Sequence, residues 1–328
     1  MQKTNLLIHI GFHKTGSSWL QKKVFVDKGL GFSSVHPIHR REIVHDFILP
    51  DVFDYDSDLT RDRYNPYLAA AKAGDFTSVI SHERLSGYPS GGGYDRRLVA
   101  ERLHETFPDA RILVVLREQR SVIEAMYSQH ITDGGTGTVK RYLQTPEPAL
   151  GRRPHFRLSF YEYDKLIAYY QKLFGADQVL ALPFEMLRDA SDDFLGEIQR
   201  FCGLPVRTVP LSDAVNVRRP LLMQYVHRSL NALLYHNELS SGALFHIPRF
   251  ARRFGRLRSA FDLVSPVGVE NRLRAGLKAA IREHVGDYYS DSNRRTEQLT
   301  GLDLTRYGYS APQPAPMPAE SRELLLGT

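Results

Sequence analysis

Four short runs rich in valine, isoleucine and leucine, at residues 5–10, 76–81, 111–116 and 178–183, punctuate this chain. Between them the apolar positions recur with helical spacing, over 16–29, 94–107, 119–132, 161–174 and 191–203. Short strands alternating with helices imply βαβ units around a buried parallel sheet. The predicted fold class is therefore α/β, a parallel sheet flanked by helices. At 42% apolar and 24% charged residues over 328 positions, the chain has ample material for a soluble core. In open sheets of this kind ligands sit beyond the carboxyl ends of the strands. The three polar clusters of the sequence follow the first three runs, which puts all of them at that edge.

The first cluster begins where Leu6–Ile10 passes into Gly11-Phe12-His13-Lys14-Thr15-Gly16-Ser17-Ser18-Trp19-Leu20. A helix starting near Gly16 directs unpaired backbone N–H groups and the positive end of its dipole at the loop, a ready anion site. The frame is P-loop-like: Gly11 and Gly16 stand five apart and Ser18 takes the Ser/Thr position. Ser17, however, stands where the P-loop lysine belongs, and Lys14 comes three residues earlier. A cation entering from the front of the loop meets a different atom of the ligand, which argues against a nucleoside triphosphate. Trp19 and Leu20 are expected to face the core.

The string Gly-x-x-Lys-Thr-Gly-Ser-Ser-x-Leu resembles the 5′-phosphosulfate loop of sulfotransferases that use 3′-phosphoadenosine 5′-phosphosulfate (PAPS). That resemblance implies a cradle of the Thr15, Gly16, Ser17, Ser18 and Trp19 backbone with the two serine hydroxyls, and Lys14 on the bridging oxygen. After the third run comes Arg117-Glu118-Gln119, followed by Tyr127 and Gln129. An arginine leaving a strand suits a phosphate that must be gripped from two directions. The element is similar to the family's 3′-phosphate site, an arginine followed eight residues on by a serine. Here that position is Ala125, and Ser121 and Ser128, one helical turn before and after it, are the substitutes. The bland alternative for Arg117 is an ion pair with Glu118 or Glu124.

After the second run comes Ser81-His82-Glu83-Arg84. Transfer of a sulfuryl group to a hydroxyl needs a base near the acceptor oxygen. Carbohydrate sulfotransferases are similar in placing a Ser-x-Glu element here, which makes Glu83 the first choice and His82 the second. A structural salt bridge of Glu83 with Arg84 or Arg117 is the competing reading. The resemblance extends over Phe174-Gly175, Pro183-Phe184-Glu185, Phe201-Cys202-Gly203-Leu204 and the C-terminal Asn293-Arg294-Arg295, the last three suggesting further anion contacts.

The remaining features bound the reading. One cysteine, Cys202, excludes an internal disulfide and reads as a buried hydrophobe. His36 and His39 lack the convergent ligands of a zinc site, so no metal is expected. A net charge of +6 suits anionic ligands and is too modest for nucleic acid. The absence of a signal-peptide h-region and of a long apolar span predicts a cytoplasmic enzyme, bacterial by its resemblance. A single domain is expected over 1–310, with a helical insertion at about 210–264 in the C-terminal third and a proline-rich, disordered tail at 311–328. Within the insertion, five arginines between Arg249 and Arg258 form a solvated basic face or, more sharply, a surface for an anionic acceptor or lipid interface. The segment around Arg152–Phe156 is expected to border the acceptor.

The functional expectation is transfer of the PAPS sulfuryl group to a hydroxyl, on a carbohydrate or glycolipid. Two alternatives stay open: an ATP-dependent P-loop kinase, which needs a Walker-B aspartate after a strand, and a degenerate anionic-glycan-binding protein.

Overall fold

The computed structural model describes residues 5–35, 41–144, 156–208, 220–234, 245, 247 and 266–312. Among the described residues five strands form one sheet: β1 (Leu6–His9), β2 (Phe32–Ser34), β3 (Thr77–Ser81), β4 (Arg111–Leu116) and β5 (Val179–Pro183). Their order is β2-β3-β1-β4-β5 and every pairing is parallel. The α/β reading thus holds. β2 is an addition, a three-residue edge strand too short to carry a periodic signal.

Both faces of the sheet are covered, so even the polar Thr77, Ser78 and Ser81 of β3 are buried beside its apolar residues. Leu6, Ile8, Ile112, Val114 and Leu116 point into one core, and Leu7, Leu113 and Val115 into the other. The first core packs against α4 (Arg96–Thr106), α5 (Gln119–Thr132) and α7 (Tyr163–Phe174), through residues such as Leu103, Ile123 and Ile167. The second takes Trp19, Leu20, Val24 and the Phe194, Leu195 and Ile198 stripe of α9 (Ser191–Cys202). Trp19 and Leu20 are core residues, as expected. Cys202 is also buried there, and burial pushes its thiol up to about 12, so it is an inert hydrophobe.

Three local outcomes differ from the periodicity. The stretch predicted as one helix over 16–29 is a short α-helix, Ser17–Trp19, a π-helical turn, Leu20–Val24, and a 3-10 turn, Lys28–Leu30. The Asp27 carboxylate accepts from Gly29 N and starts that last turn as a new element. A helix at α3 (Ser57–Ala73) carries an internal Pro66 and buries only Thr60, Tyr64 and Ala71, so its apolar stripe is too thin to read. Asp56 caps it, accepting from Asp58 N and Leu59 N. Two further helices, α11 (Val267–Val285) and α12 (Ser290–Thr300), close over α5 and α7, as the bonds Arg274–Glu124 and Arg295–Asp164 show.

Of the expected insertion, the helix α10 (Leu221–Leu234) lies at the amphipathic repeat that suggested it. His36, His39, Arg152–His155, Arg249–Arg258 and the residues from 313 onward lie outside the described residues. Among the described residues, no helix is long and apolar enough to cross a membrane.

Candidate functional site

β1 is the middle strand, so the loop that leaves its carboxyl end lies between the ends of β3 and β4. Pairing runs one residue past the strand, Ile10 N donating to Leu113 O at 3.1 Å. Phe12 then plugs into an aromatic nest, its ring 4.8 Å from that of Tyr163. Thr15 Oγ donates to Phe12 O at 2.5 Å and closes the loop on itself. Lys14 (φ 65°) and Gly16 (φ 84°) both adopt the left-handed region, which turns the chain back toward the helix start.

The first amide of that helix to bond backward is Trp19 N, to Gly16 O at 2.9 Å. The amides before it are first-turn donors with no intrahelical acceptor. Among them sits the buried Ser17 hydroxyl, which has no hydrogen-bond partner. A concave loop of donors with one orphaned buried hydroxyl fits a tetrahedral anion. Gly16 is required on two counts, since a Cβ there would also stand 2.7 Å from Leu187 Cδ2. Gly16→Ala should lower stability by about 1–3 kcal/mol and weaken anion binding in parallel, as melting with and without adenosine 3′,5′-bisphosphate would record.

The cluster after β4 folds onto this loop. Arg117 Nη1 donates to Lys14 O at 2.7 Å across 103 residues, and its guanidinium lies 5.0 Å over the Phe184 ring. The Tyr163 hydroxyl donates to Arg117 O at 2.5 Å and fixes the strand end. Glu118 caps α5, accepting from Arg120 N at 2.9 Å and Ser121 N at 2.8 Å. Its own amide donates to the buried Glu185 at 3.0 Å, whose carboxyl burial raises. Lys14 Nζ reaches α5, donating to Gln129 Oε1 at 2.6 Å. Of the two serines considered for the missing family serine, Ser128 spends its hydroxyl hydrogen on Glu124 O at 3.1 Å. Ser121 lies in the first turn of α5, the nearer of the two to Arg117 in sequence.

The cluster after β3 completes the edge. His82 N donates to His9 O at 3.2 Å, and Ser86 Oγ reaches Gly11 O at 3.5 Å, so this turn is tied to the loop. His82 Nδ1 accepts from Arg84 N at 3.1 Å and starts the 3-10 turn Glu83–Ser86. The Arg84 guanidinium goes to Asp95 at 3.2 Å and lies 5.0 Å from the centre of the Tyr88 ring. Burial alone would raise the Glu83 carboxyl. His82, a backbone N–H, His13 and Gln21 outweigh it and hold the group below the ordinary carboxylate range.

Some functional candidates escaped the sequence reading. His13, edge-on to Tyr88 at 5.9 Å, is pulled down to about 4 by burial and stays neutral near Glu83, Arg84, His82 and Lys14. Its place directly before Lys14 was the available signal. Gln129 was noted only within the Tyr-x-Gln resemblance, and its bond to Lys14 was not foreseen. The suggested anion contacts at Asn293–Arg295 are corrected. Asn293 is buried against Gln119 at 2.5 Å, Arg295 pairs with Asp164 at 2.6 Å and Arg294 with Asp291 at 3.0 Å. The Asn293 and Arg295 contacts fasten α12 to the body of the fold, and the Arg294 pair lies within α12 itself. Among the described residues no group of three or more His, Cys, Asp or Glu could hold a metal ion.

The parallel α/β sheet thus carries, at its carboxyl edge, a glycine-bounded strand–loop–helix turn with a loop lysine and a converging arginine. Residues 98–208 match the model of the sulfotransferase family, and this match bears out the sulfotransferase resemblance. The structure of a sulfotransferase from Alicyclobacillus acidocaldarius is similar at 18% identity and TM-score 0.47, over 77% of this chain and all of that one. The sulfotransferase domain of the Synechococcus PCC 7002 olefin synthase shares 13% identity over 80% of this chain and 95% of that one, at TM-score 0.38. A sulfotransferase domain of the curacin biosynthetic pathway shares 11% over 94% and 98%, at TM-score 0.37. No curated protein matches the chain.

Proposed function

We propose that this chain transfers the sulfuryl group of PAPS to an acceptor hydroxyl, on a carbohydrate or glycolipid, in the cytoplasm of a bacterium. The observation that carries the reading is the junction of Lys14 and Arg117: one loop holds a lysine ahead of its glycine, and the arginine after β4 is bonded to that lysine's carbonyl. Bound PAPS supplies an activated sulfuryl group and leaves as adenosine 3′,5′-bisphosphate.

The protein's part is positioning and charge. The backbone from Thr15 to Trp19, with the Ser17 and Ser18 hydroxyls, holds the 5′ end. Lys14 offsets charge on the departing oxygen, shifting from its resting bond to Gln129. Arg117, with Ser121 as the substitute hydroxyl, reads the 3′-phosphate. Glu83 takes the acceptor proton; His82 is the second choice, since its Nδ1 already accepts from Arg84 N. No resident metal takes part in this reading.

Calorimetric titration tests it. Adenosine 3′,5′-bisphosphate should bind, and ATP with Mg²⁺ should not; the reverse would favour the kinase reading. That alternative lacks its Walker-B aspartate at β4, which runs into Arg117, and at β5, which ends at Pro183 before Phe184. Arg117→Ala should weaken adenosine 3′,5′-bisphosphate by about 10- to 100-fold, the size of a lost charge-assisted bond, while leaving AMP within about twofold. Equal losses for both nucleotides would remove Arg117 from the 3′-phosphate. The glycan-binding alternative rests on Arg249–Arg258, and no observation among the described residues favours it.

A further inference from the structure

Where β5 passes into the short helix α8 (Phe184–Asp189), the chain buries a carboxylate that packing does not call for. Glu185 is 4% exposed and burial raises its carboxyl, so a leucine would fill the place at less cost. What the carboxylate does there is directional. Oε1 accepts from Glu118 N at 3.0 Å, and Oε2 accepts from the Tyr309 hydroxyl at 3.3 Å.

The Glu118 N–H belongs to the same peptide unit as the Arg117 carbonyl, which accepts from the Tyr163 hydroxyl at 2.5 Å. That unit is a rigid plane. Pinned at both ends, it fixes the chain on either side, and so the direction in which the Arg117 side chain leaves the backbone. Phe184 adds a second hold, its ring centre 5.0 Å from the Arg117 guanidinium. Two consecutive residues therefore grip this arginine, one at its backbone and one at its charged end.

The brace behind Glu185 comes from far along the chain. Tyr309 is 4% exposed, and the residue after it is tied down twice. Ser310 O accepts from Asn293 Nδ2 at 3.0 Å, and Ser310 Oγ accepts from Arg120 Nη2 at 3.2 Å. Asn293 in turn accepts from Gln119. The bonds of Glu118, Gln119 and Arg120 thus all lead, directly or through one partner, to the segment at 309–310. That segment lies outside residues 98–208, the part that matches the family model.

We propose that Glu185 is a positioning residue for recognition of the 3′-phosphate: braced by Tyr309, it sets the Arg117–Glu118 peptide and thereby aims the Arg117 guanidinium. This rests on the reading of Arg117 as the 3′-phosphate contact. Selectivity for a 3′-phosphorylated nucleotide then depends on a bond across 124 residues that acts through the backbone.

The test is calorimetric titration of the chain and its variants with adenosine 3′,5′-bisphosphate and with AMP. The ratio of the two affinities isolates the 3′-phosphate. Glu185→Leu keeps the bulk and removes both acceptors, and should lower the ratio about tenfold or more, with AMP itself within about twofold. Tyr309→Phe keeps the ring, removes the brace and should lower the ratio about three- to tenfold; it provides the reading if Glu185→Leu does not fold. In Glu185→Gln the amide oxygen still accepts from Glu118 N and the N–H₂ donates to the Tyr309 oxygen, so the ratio should stay within about twofold of wild type. Equal losses for both nucleotides, or an unchanged ratio in the folded variants, would leave Glu185 a structural residue and overturn the proposal. So would a Glu185→Gln as impaired as Glu185→Leu, because direction and not charge is claimed. The two readings fail differently. No change of the ratio in Arg117→Ala removes the 3′-phosphate reading and this proposal with it, whereas a ratio lost in Arg117→Ala and kept in Glu185→Leu overturns this proposal alone.

Discussion

Lys14→Ala is expected to lower sulfuryl transfer from labelled PAPS by about 10²–10³-fold, or more, while adenosine 3′,5′-bisphosphate still binds. The separation follows from where the donors sit. In the proposed site the anion cradle is made of backbone N–H groups and the Ser17 and Ser18 hydroxyls, and Arg117 comes from another strand end; none of these depends on the Lys14 ammonium. The backbone at Lys14 is left-handed already, so exchanging one non-glycine residue for another adds little strain. What disappears is a cation on a short tether, held 2.6 Å from Gln129 Oε1 at rest. Charge on a leaving oxygen develops only as the bond breaks, so its loss appears in turnover rather than in product affinity. Unchanged turnover in a folded variant would take Lys14 out of the chemistry.

Glu83→Gln should lower kcat by about 10²–10⁴-fold with donor affinity kept, the range removed with a general base. The pH dependence adds a second reading. Wild-type Glu83 is held below the ordinary carboxylate range, so it is ionised throughout neutral pH. The rate should be level there and fall only as acid protonates the carboxylate. Glu83→Gln should lose that acid limb. The sign for stability agrees: a carboxyl with a lowered folded pKa contributes stability above its unfolded value, and that contribution is lost as pH falls through the folded one. A full-rate Glu83→Gln enzyme would hand the base role to His82 or to a group not considered.

Much of the frame was legible in the chain. Strands buried on both faces read as short runs rich in Val, Ile and Leu, and the four that were expected lie within a residue of where they form. The loop was legible because its spacing is local: Gly11, Lys14, Gly16 and Ser18 act within one turn of chain. β2 and α3 were not, one being too short for a period and the other too polar.

The hidden part of the site is long-range. Lys14 meets Gln129 across 115 residues, Gln21 meets Ser81 across 60, and no periodicity encodes either meeting. Asn293 misled for the same reason. Its amide looks like an anion donor in isolation, and only the fold reveals Gln119 as its partner across 174 residues.

The most direct test of the central claim is a crystal structure with adenosine 3′,5′-bisphosphate. The 5′-phosphate is expected on the amides of Thr15 to Trp19 and the Ser17 hydroxyl, with Lys14 Nζ beside it and the 3′-phosphate on Arg117. A nucleotide bound away from the β1 loop, or a bound nucleotide whose 3′-phosphate does not touch Arg117, would contradict it.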